Sequence, residues 1–303
     1  MADSIIATVD LRKSYDGVEA LAGLNLTVAR GSICGLLGRN GAGKTTTIKV
    51  LLGMARPTSG RASVFGLAAD GEQTSVEIRR RTALVGEERD LYDAMTVEQI
   101  IRFTASFYPR WRKDLEQEYL RKFELPAGRT IKHLSRGMRT KLALLLALSS
   151  GAELLILDEP TSGLDPAATE ELLQVLVSHA ARAEVTVLLS THQLTDVEQI
   201  ADHVAIIDRG RTRVAGALDD LRAGYRRVQL VFDGEAPECQ LSVPGIVATR
   251  RQGRVLTVLS SAGADRIIDE VKVLKPVSVD VLPVTLKEIF LATVAGEGGN
   301  ALV

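Results

Sequence analysis

Short apolar runs alternate with helical patterns along the first two thirds of the chain. The run at residues 154–157 is apolar throughout, which is typical of a parallel strand covered on both faces. Residues 169–181 instead repeat their apolar positions with the period of a helix. Further strands are predicted at residues 5–9, 24–28, 32–37, 61–66, 82–86, 185–189 and 204–207. This alternation predicts an α/β core with a mixed sheet.

Two regions depart from this alternation. Residues 90–150 are mostly helical in pattern and form an insertion within the α/β chain. From about residue 221 the pattern changes to short alternating strands and two helical segments. We therefore predict a core domain over residues 1–220, with its helical subdomain at about 90–150, and a small C-terminal α+β extension over residues 221–303.

Composition and charge narrow the class of protein. Hydrophobic residues make up 46% and charged residues 25% of the 303 residues, the balance of a soluble globular protein. A net charge of −1 gives no overall basic field, so we expect no nucleic acid partner. No apolar run approaches the ~18 residues needed to cross a bilayer, and no secretory signal opens the sequence. A function at a membrane would therefore need a second protein that does the crossing.

The strongest chemical motif lies between a predicted strand and a predicted helix, and it fits the phosphate-loop pattern G-x-x-x-x-G-K-[ST]. Its glycines let backbone N–H groups approach phosphate oxygens, and the helix that follows directs its N-terminus at the same anion. Lys44 adds a full positive charge for the β- and γ-phosphates, and the Thr45 hydroxyl is placed to bind Mg²⁺. The predicted ATP-binding residues are Gly38, Arg39, Asn40, Gly41, Ala42, Gly43, Lys44, Thr45 and Thr46.

Acidic and histidine side chains follow two of the predicted strands. Asp158 and Glu159 come directly after one apolar strand, and His192 follows another. Ligands of open parallel sheets bind at the carboxyl ends of the strands. We therefore predict that Asp158 binds Mg²⁺ together with Thr45, and that Glu159 orients or deprotonates an attacking water. His192 is predicted to hydrogen-bond the γ-phosphate or the same water.

These motifs resemble those of the nucleotide-binding subunit of ATP-binding-cassette (ABC) transporters. Residues 134–138 are similar to the family signature L-S-G-G-Q and stand where the family has it, at the start of a helix. Residues 162–165 match the D-loop, His192 matches the switch histidine, and Tyr15 matches the aromatic residue that stacks on adenine. Six ordered motifs at family spacing make this resemblance specific.

The resemblance implies an ATPase that works as a pair of cassettes. Two cassettes, identical or different, would enclose two ATP molecules, and each signature would contact the ATP held by the other chain. The signature residues are Ser135, Arg136, Gly137 and Met138, and Asp165 belongs to the D-loop. Arg136 replaces a glycine of the family pattern and Met138 replaces a glutamine. The Arg136 side chain would either add a contact with phosphate or be solvated, and we favour the solvated side chain. Because Ser135 and Gly137 are retained, we expect the signature to remain active.

A further departure lies at the Q-loop, where Glu87 stands in place of the usual glutamine. A carboxylate can still contact Mg²⁺ or water, but it brings a negative charge. We therefore predict Glu87 as a third metal-site residue beside Thr45 and Asp158, with altered Mg²⁺ affinity or coupling rather than lost ATP binding.

Within the family, the chain resembles bacterial cassettes of the exporter type, which lack membrane spans and pair with a separate permease. This implies Mg²⁺-dependent ATP hydrolysis at the cytoplasmic face of the cell membrane. The alternative is a soluble cassette ATPase that acts on ribosomes or nucleic acid. Translation-type relatives usually carry two cassettes in one chain and repair-type relatives a long coiled coil, whereas this sequence has one phosphate loop and no sustained heptads.

Overall fold

The computed structural model describes residues 4–88, 91–238, 244–261, 267–269 and 274–294. The chain divides into two compact units, Met1–Ala215 and Gly216–Val303. The predicted boundary at residue 220 falls inside a helix, Leu218–Gly224.

The described strands and helices are numbered here in chain order. The strands are β1 (Ser4–Tyr15), β2 (Val18–Leu24), β3 (Thr27–Ala29), β4 (Ile33–Leu37), β5 (Ser59–Val64), β6 (Leu67–Ala68), β7 (Thr82–Val85), β8 (Leu154–Asp158), β9 (Thr186–Thr191), β10 (His203–Asp208), β11 (Arg211–Ala217), β12 (Arg226–Val231), β13 (Ile246–Gln252), β14 (Val255–Ser260) and β15 (Ser278–Pro283). The helices are α1 (Lys44–Leu51), α2 (Glu72–Arg80), α3 (Val97–Ala105), α4 (Lys113–Lys122), α5 (Arg136–Ser149), α6 (Pro166–Ala183), α7 (Leu194–Ile200), α8 (Leu218–Gly224) and α9 (Leu286–Val294).

A six-stranded sheet in the order β11-β10-β4-β9-β8-β7 forms the centre of the first unit, and β10, β4, β9, β8 and β7 run parallel. Strands β4, β8 and β9 are buried along their whole length, which explains why their sequences are nearly free of alternation. In the register of this sheet Leu37 lies opposite Thr191, and Asp158 lies opposite Ser190. The carboxyl ends of β4, β8 and β9 therefore meet at one edge.

A second sheet of the first unit is antiparallel, with β2, β1, β5 and β6 in order and β3 also paired to β1. Its buried side chains, such as Ile6 and Leu21, belong to the same core as Leu36 of the parallel sheet and Leu51 of α1. Between β7 and β8 the described chain is helical, with α3, α4 and α5. The α/β phosphate-loop fold predicted from the sequence is confirmed.

Helix α3 begins at a capping box, the motif that Thr96 with Gln99 three residues later predicts. Thr96 is the N-cap, and its hydroxyl accepts from the Gln99 N–H at 3.2 Å. The Gln99 side chain in turn accepts from the Thr96 N–H at 2.8 Å, which completes a capping box.

The predicted strand at residues 24–28 has the wrong bounds. Strand β2 ends at Leu24, and β3 begins at Thr27 after a short break. Across this break the side-chain oxygen of Asn25 accepts from the N–H of Asp10, where β1 has a positive φ of 44°. The apolar–polar alternation of residues 24–28 therefore spans the end of β2 and the start of β3, and both strands pair with β1.

The second unit contains a four-stranded antiparallel sheet in the order β13-β14-β12-β15. One face carries an apolar core that includes Val228, Leu230, Leu256 and Val258. Helix α9 is joined to β12 by an ion pair of 2.5 Å between Arg227 and Glu288.

No described helix combines the length and apolar character needed to cross a bilayer. Cys34 lies in β4 with 1% of its surface exposed, and this burial raises the pKa of its thiol to about 12. Cys34 is therefore a core residue, as its position in an apolar strand predicts.

Candidate nucleotide site

The phosphate loop connects β4 to α1, and its geometry requires glycine. Gly43 is the residue before α1 and has a φ of 107°. A Cβ atom there would lie 2.8 Å from the carbonyl oxygen of Ala20 and 2.8 Å from Leu21. At Gly38 a Cβ atom would lie 2.7 Å from the carbonyl oxygen of Ile207. The loop can therefore follow this path only without side chains at these two positions.

Lys44 is the first residue of α1, and its side chain is 7% exposed. Its ammonium group donates to the carbonyl oxygen of Gly38 at 2.8 Å and forms an ion pair with Glu159 at 3.3 Å. Both contacts compensate a cation that would otherwise be costly to bury. The positive charge is thus held at the N-terminus of α1, where anions are already favoured.

Thr45 and Asp158 meet across the edge of the parallel sheet. The Thr45 hydroxyl donates to Asp158 Oδ2 at 2.8 Å, and the Ser190 hydroxyl donates to Asp158 Oδ1 at 2.8 Å. No group of three or more histidine, cysteine or carboxylate side chains that could hold a metal occurs in the described part of the chain. A hydroxyl beside one carboxylate fits Mg²⁺, which keeps several waters and is commonly bound by one or two carboxylates plus substrate phosphates.

Glu159 follows Asp158 with an unusual backbone conformation, a φ of 49°. Its carboxylate contacts the Lys44 ammonium, lies 2.8 Å from His192 Nδ1, and accepts from the Thr191 hydroxyl at 3.4 Å. Its own N–H donates to the carbonyl oxygen of Ser190 at 2.8 Å. A non-glycine residue with positive φ is held in place by its surroundings, and such residues concentrate at active sites.

A buried carboxylate that the sequence analysis missed supports the turn after Glu159. Asp196 on α7 is 3% exposed and accepts from the Thr161 hydroxyl at 2.6 Å. Burial raises the pKa of Asp196, and the hydrogen bond from Thr161 opposes that rise. Ser190, Thr191 and Asp196 were not predicted as site residues.

A cavity of about 590 Å³ opens at this edge of the sheet. Ten predicted site residues line it together: Arg39, Asn40, Gly41, Gly43, Lys44, Thr45, Thr46, Glu87, Glu159 and His192. Val18, Glu19, Ala20 and Ser162 complete the lining. Gly38, Ala42 and Asp158 are not in the lining, but each is hydrogen-bonded to a residue that is: Gly38 to Lys44, Ala42 to Arg39, and Asp158 to Thr45.

Three predicted elements lie outside the cavity lining. Tyr15 is 42% exposed, and the Lys13 ammonium lies 4.6 Å from the centre of its ring. Asp165 is the N-cap of α6, where its side chain accepts from the Ala168 N–H at 2.9 Å. Ser135 is likewise the N-cap of α5 and accepts from the Met138 N–H at 3.2 Å.

A family model described as ABC transporter matches residues 21–162, a stretch that contains the phosphate loop, the predicted signature and Glu159. The bacitracin transport ATP-binding protein BcrA of Bacillus licheniformis is 37% identical over 226 residues, which cover 74% of this chain and 73% of BcrA. The chain belongs to the ABC transporter family. It is an ATP-binding subunit, and it binds and hydrolyses ATP.

Two further similarities extend along the cassette. The ABC transporter ATP-binding protein YtrB of Bacillus subtilis (strain 168) is 27% identical over 287 residues, which cover 95% of this chain and 97% of YtrB. A solved ATP-binding subunit of an ABC transporter aligns with a TM-score of 0.66 at 34% identity, covering 72% of this chain and 92% of that structure. These similarities support a transporter cassette over an ATPase that acts on ribosomes or nucleic acid.

Proposed function

We propose that this cassette hydrolyses ATP with Glu159 as general base, and that hydrolysis drives export through a separate membrane permease. The observation that carries the proposal is the contact of one buried carboxylate with both Lys44 and His192, beside a phosphate loop. A general base needs to be within reach of the attacking water and of groups that orient it.

The ion pair between Lys44 and Glu159 suggests how ATP prepares the base. Lys44 is the residue that binds the β- and γ-phosphates, so ATP competes with Glu159 for the same ammonium group. When phosphate oxygens take the ammonium, the Glu159 carboxylate retains its contacts with His192 and Thr191 and becomes free to accept a proton from water. His192 then orients Glu159 and the γ-phosphate, and Tyr15 stacks on adenine.

We assign the Mg²⁺ site to Thr45, Asp158 and Glu87. When bound, Mg²⁺ neutralises charge on the β- and γ-phosphates. Asp158 contributes a carboxylate that is fixed by the hydroxyl of Ser190, so its second oxygen faces Thr45. Glu87 lines the same cavity and adds a second negative charge.

We propose that two cassettes, identical or different, enclose two ATP molecules. Support comes from the position of the signature, which is outside the cavity of its own chain. Ser135 and Arg136 are exposed at the N-terminus of α5, where unpaired N–H groups favour an anion. This helix end, with Gly137 and Met138, would contact the ATP of the other chain, beside a D-loop that Asp165 holds at the start of α6.

An exposed aromatic surface supports a protein partner for the first unit. Tyr92, Phe103 and Phe107 are 59%, 39% and 61% exposed, and the Phe103 ring contacts each of the other two edge to face. A groove of about 330 Å³ is lined mainly by apolar residues, among them Leu91 and Tyr108, with Glu88 and Thr104 also in its lining. Apolar patches of this kind mark protein interaction sites. We propose that the permease binds here, with the cassette at the cytoplasmic face of the membrane.

One experiment tests the base and both partners. The tagged Glu159→Gln variant is purified with ATP and Mg²⁺ from detergent-solubilised membranes of the source cell. We expect hydrolysis to fall at least 100-fold, ATP to remain bound, and a cassette dimer to co-purify with a stoichiometric multi-span protein. Glu124→Gln is the control, because Glu124 is exposed and also has a positive φ, of 51°.

The outcomes separate the parts of this proposal. Normal hydrolysis by Glu159→Gln would remove Glu159 as the base. An ATP-bound monomer would contradict the two-cassette arrangement. A dimer that co-purifies with ribosomal or DNA-associated proteins instead of a membrane protein would leave the ATPase chemistry intact and contradict the permease.

A further inference from the structure

The arginine that departs from the signature pattern reaches the D-loop of its own chain. Arg136 is the first residue of α5, and its guanidinium Nη2 donates to the Ser162 hydroxyl at 3.4 Å. A Cβ atom built on Gly163 would lie 2.3 Å from Arg136 Cζ and 2.4 Å from Nη1. The guanidinium group therefore packs directly against the backbone of Gly163.

This contact requires glycine at position 163 and arginine at position 136. Gly163 has a φ of 73°, and any side chain there would overlap the guanidinium. Arg136 forms no salt bridge with any residue that the structure describes, so its contacts with Ser162 and Gly163 are those that orient it. A glycine in place of Arg136, as in the family signature, could make neither contact.

The D-loop contact lies close to the catalytic carboxylate along the chain. The Ser162 N–H donates to the carbonyl oxygen of Glu159 at 3.2 Å, and the Leu164 N–H donates to that of Thr161 at 3.0 Å. Ser162 also lines the nucleotide cavity. The turn that follows Glu159 therefore contacts Arg136 through Ser162 and Gly163, and through Ser162 it also borders the nucleotide cavity.

We propose that Arg136 is a positioning residue that holds the D-loop at Ser162 and Gly163. It would thereby couple the signature helix, which meets the ATP of the other cassette, to the loop that follows Glu159 in its own site. The inference rests on the proposed roles of the signature and of Glu159. It assigns Arg136 a contact within its own chain, in place of a contact with phosphate.

The chemistry of arginine distinguishes a contact with the D-loop from a contact with phosphate. A guanidinium group is planar and presents several donors in a fixed fork, so it can pack on a glycine and donate to a hydroxyl at once. A lysine ammonium is a compact point charge that can still bind a phosphate, although without the bidentate geometry of arginine. Lysine at position 136 would therefore preserve a phosphate contact but lose the packing on Gly163.

The test is a double-mutant cycle on ATP hydrolysis by the full chain, with Arg136→Ala, Ser162→Ala and the double variant. We expect Arg136→Ala to lower kcat about two- to fivefold, the effect of one long, exposed hydrogen bond at the weak end of the usual range. KM for ATP should change less than about twofold, because binding of the nucleotide by its own phosphate loop is unaffected. The double variant should be no slower than Arg136→Ala, and Arg136→Lys should not restore kcat.

Arg139→Ala is the matched control, because Arg139 lies one turn further along α5 and pairs with Asp93 at 2.7 Å. Additive effects of Arg136→Ala and Ser162→Ala would overturn the proposal, as would full activity in Arg136→Lys. A different measurement shows whether the two-cassette arrangement is wrong. If Glu159→Gln alone forms no dimer with ATP, the enclosed pair is wrong, while the cycle on kcat still decides the contact between Arg136 and the D-loop.

Discussion

The two units of the chain differ in whether they bury charged side chains. The first unit buries Lys44, Asp158, Glu159 and Asp196, each at most 7% exposed, at the carboxyl ends of its parallel strands. Among the described residues of the second unit no charged side chain is buried, and the buried polar side chains there are those of Ser260 and Tyr225. The first unit therefore carries charges that a stable fold alone would not need.

Burial of charge is costly unless every charge has a partner, and hydrophobic replacements of buried ion pairs are often neutral or stabilising. In the first unit each buried charge is compensated: Lys44 by Glu159, Asp158 by two hydroxyl groups, and Asp196 by Thr161. The second unit relies on an apolar core, with its ion pair Arg227–Glu288 only partly buried. This contrast places nucleotide chemistry in the first unit and predicts that mutations separate activity from stability.

The largest expected effect comes from the buried cation. Lys44→Ala removes the ammonium group that phosphate oxygens would bind, and it leaves Glu159 buried without its ion pair. Truncation of one member of a buried charged contact costs about 4 kcal/mol in binding, or roughly a 1,000-fold weaker affinity for ATP. Titration of the full chain with a fluorescent ATP analogue measures the change.

Lys49→Ala is the control for this variant, because Lys49 lies on the same helix α1 with its side chain exposed. It should bind the analogue as the wild type does. Equal affinities of Lys44→Ala and wild type would contradict the claim that the first unit buries charge for nucleotide binding, since the buried cation would then have no role in it.

The same contrast explains what the sequence could predict. The phosphate loop, Asp158 and Glu159 follow from short motifs next to apolar strands, because local spacing determines where they lie. Ser190 and Asp196 could not be predicted, because their roles arise only when β9 lies beside β8 and α7 packs under the turn after Glu159. These contacts join residues more than thirty positions apart.

Strand prediction was weakest in the second unit. Residues 250–254 predict a hairpin turn, but β13 continues to Gln252 and the turn is confined to Gly253 and Arg254. Arg250 and Arg251 pair across the sheet with Thr257 and Leu256. Strand β13 carries little periodic signal, because none of its residues is buried and its apolar residues do not alternate with polar ones.

A core mutation in the second unit should reduce stability and leave chemistry unchanged. Leu230 on β12 is fully buried, and Leu230→Ala removes apolar contacts with its core. Such truncations cost about 3 kcal/mol, which calorimetry of the full chain should record as a lower unfolding temperature. ATP hydrolysis well below that temperature should keep its wild-type KM.

The control is Val281→Ala on the adjacent strand β15, where Val281 is 43% exposed and the cost should be under about 1 kcal/mol. A large loss of ATP affinity in Leu230→Ala at low temperature would contradict the separation, because it would show that the second unit takes part in nucleotide binding.

The smallest expected effect concerns the negative charge of Glu87, the residue that we predict to stand at the Q-loop. Glu87 lines the nucleotide cavity with Thr45 and Lys44, so its carboxylate strengthens the field that attracts Mg²⁺ and opposes the ATP phosphates. Glu87→Gln keeps the shape of the side chain and removes the charge. Because a partly solvated charge is worth under about 1 kcal/mol, the Mg²⁺ concentration that gives half-maximal hydrolysis should rise about two- to fivefold.

The neighbouring Glu88 lines the apolar groove instead of the nucleotide cavity, so Glu88→Gln should leave this concentration unchanged. An unchanged Mg²⁺ dependence in Glu87→Gln would mean that the departure from the family glutamine is neutral, and that the metal site consists of Thr45 and Asp158 alone.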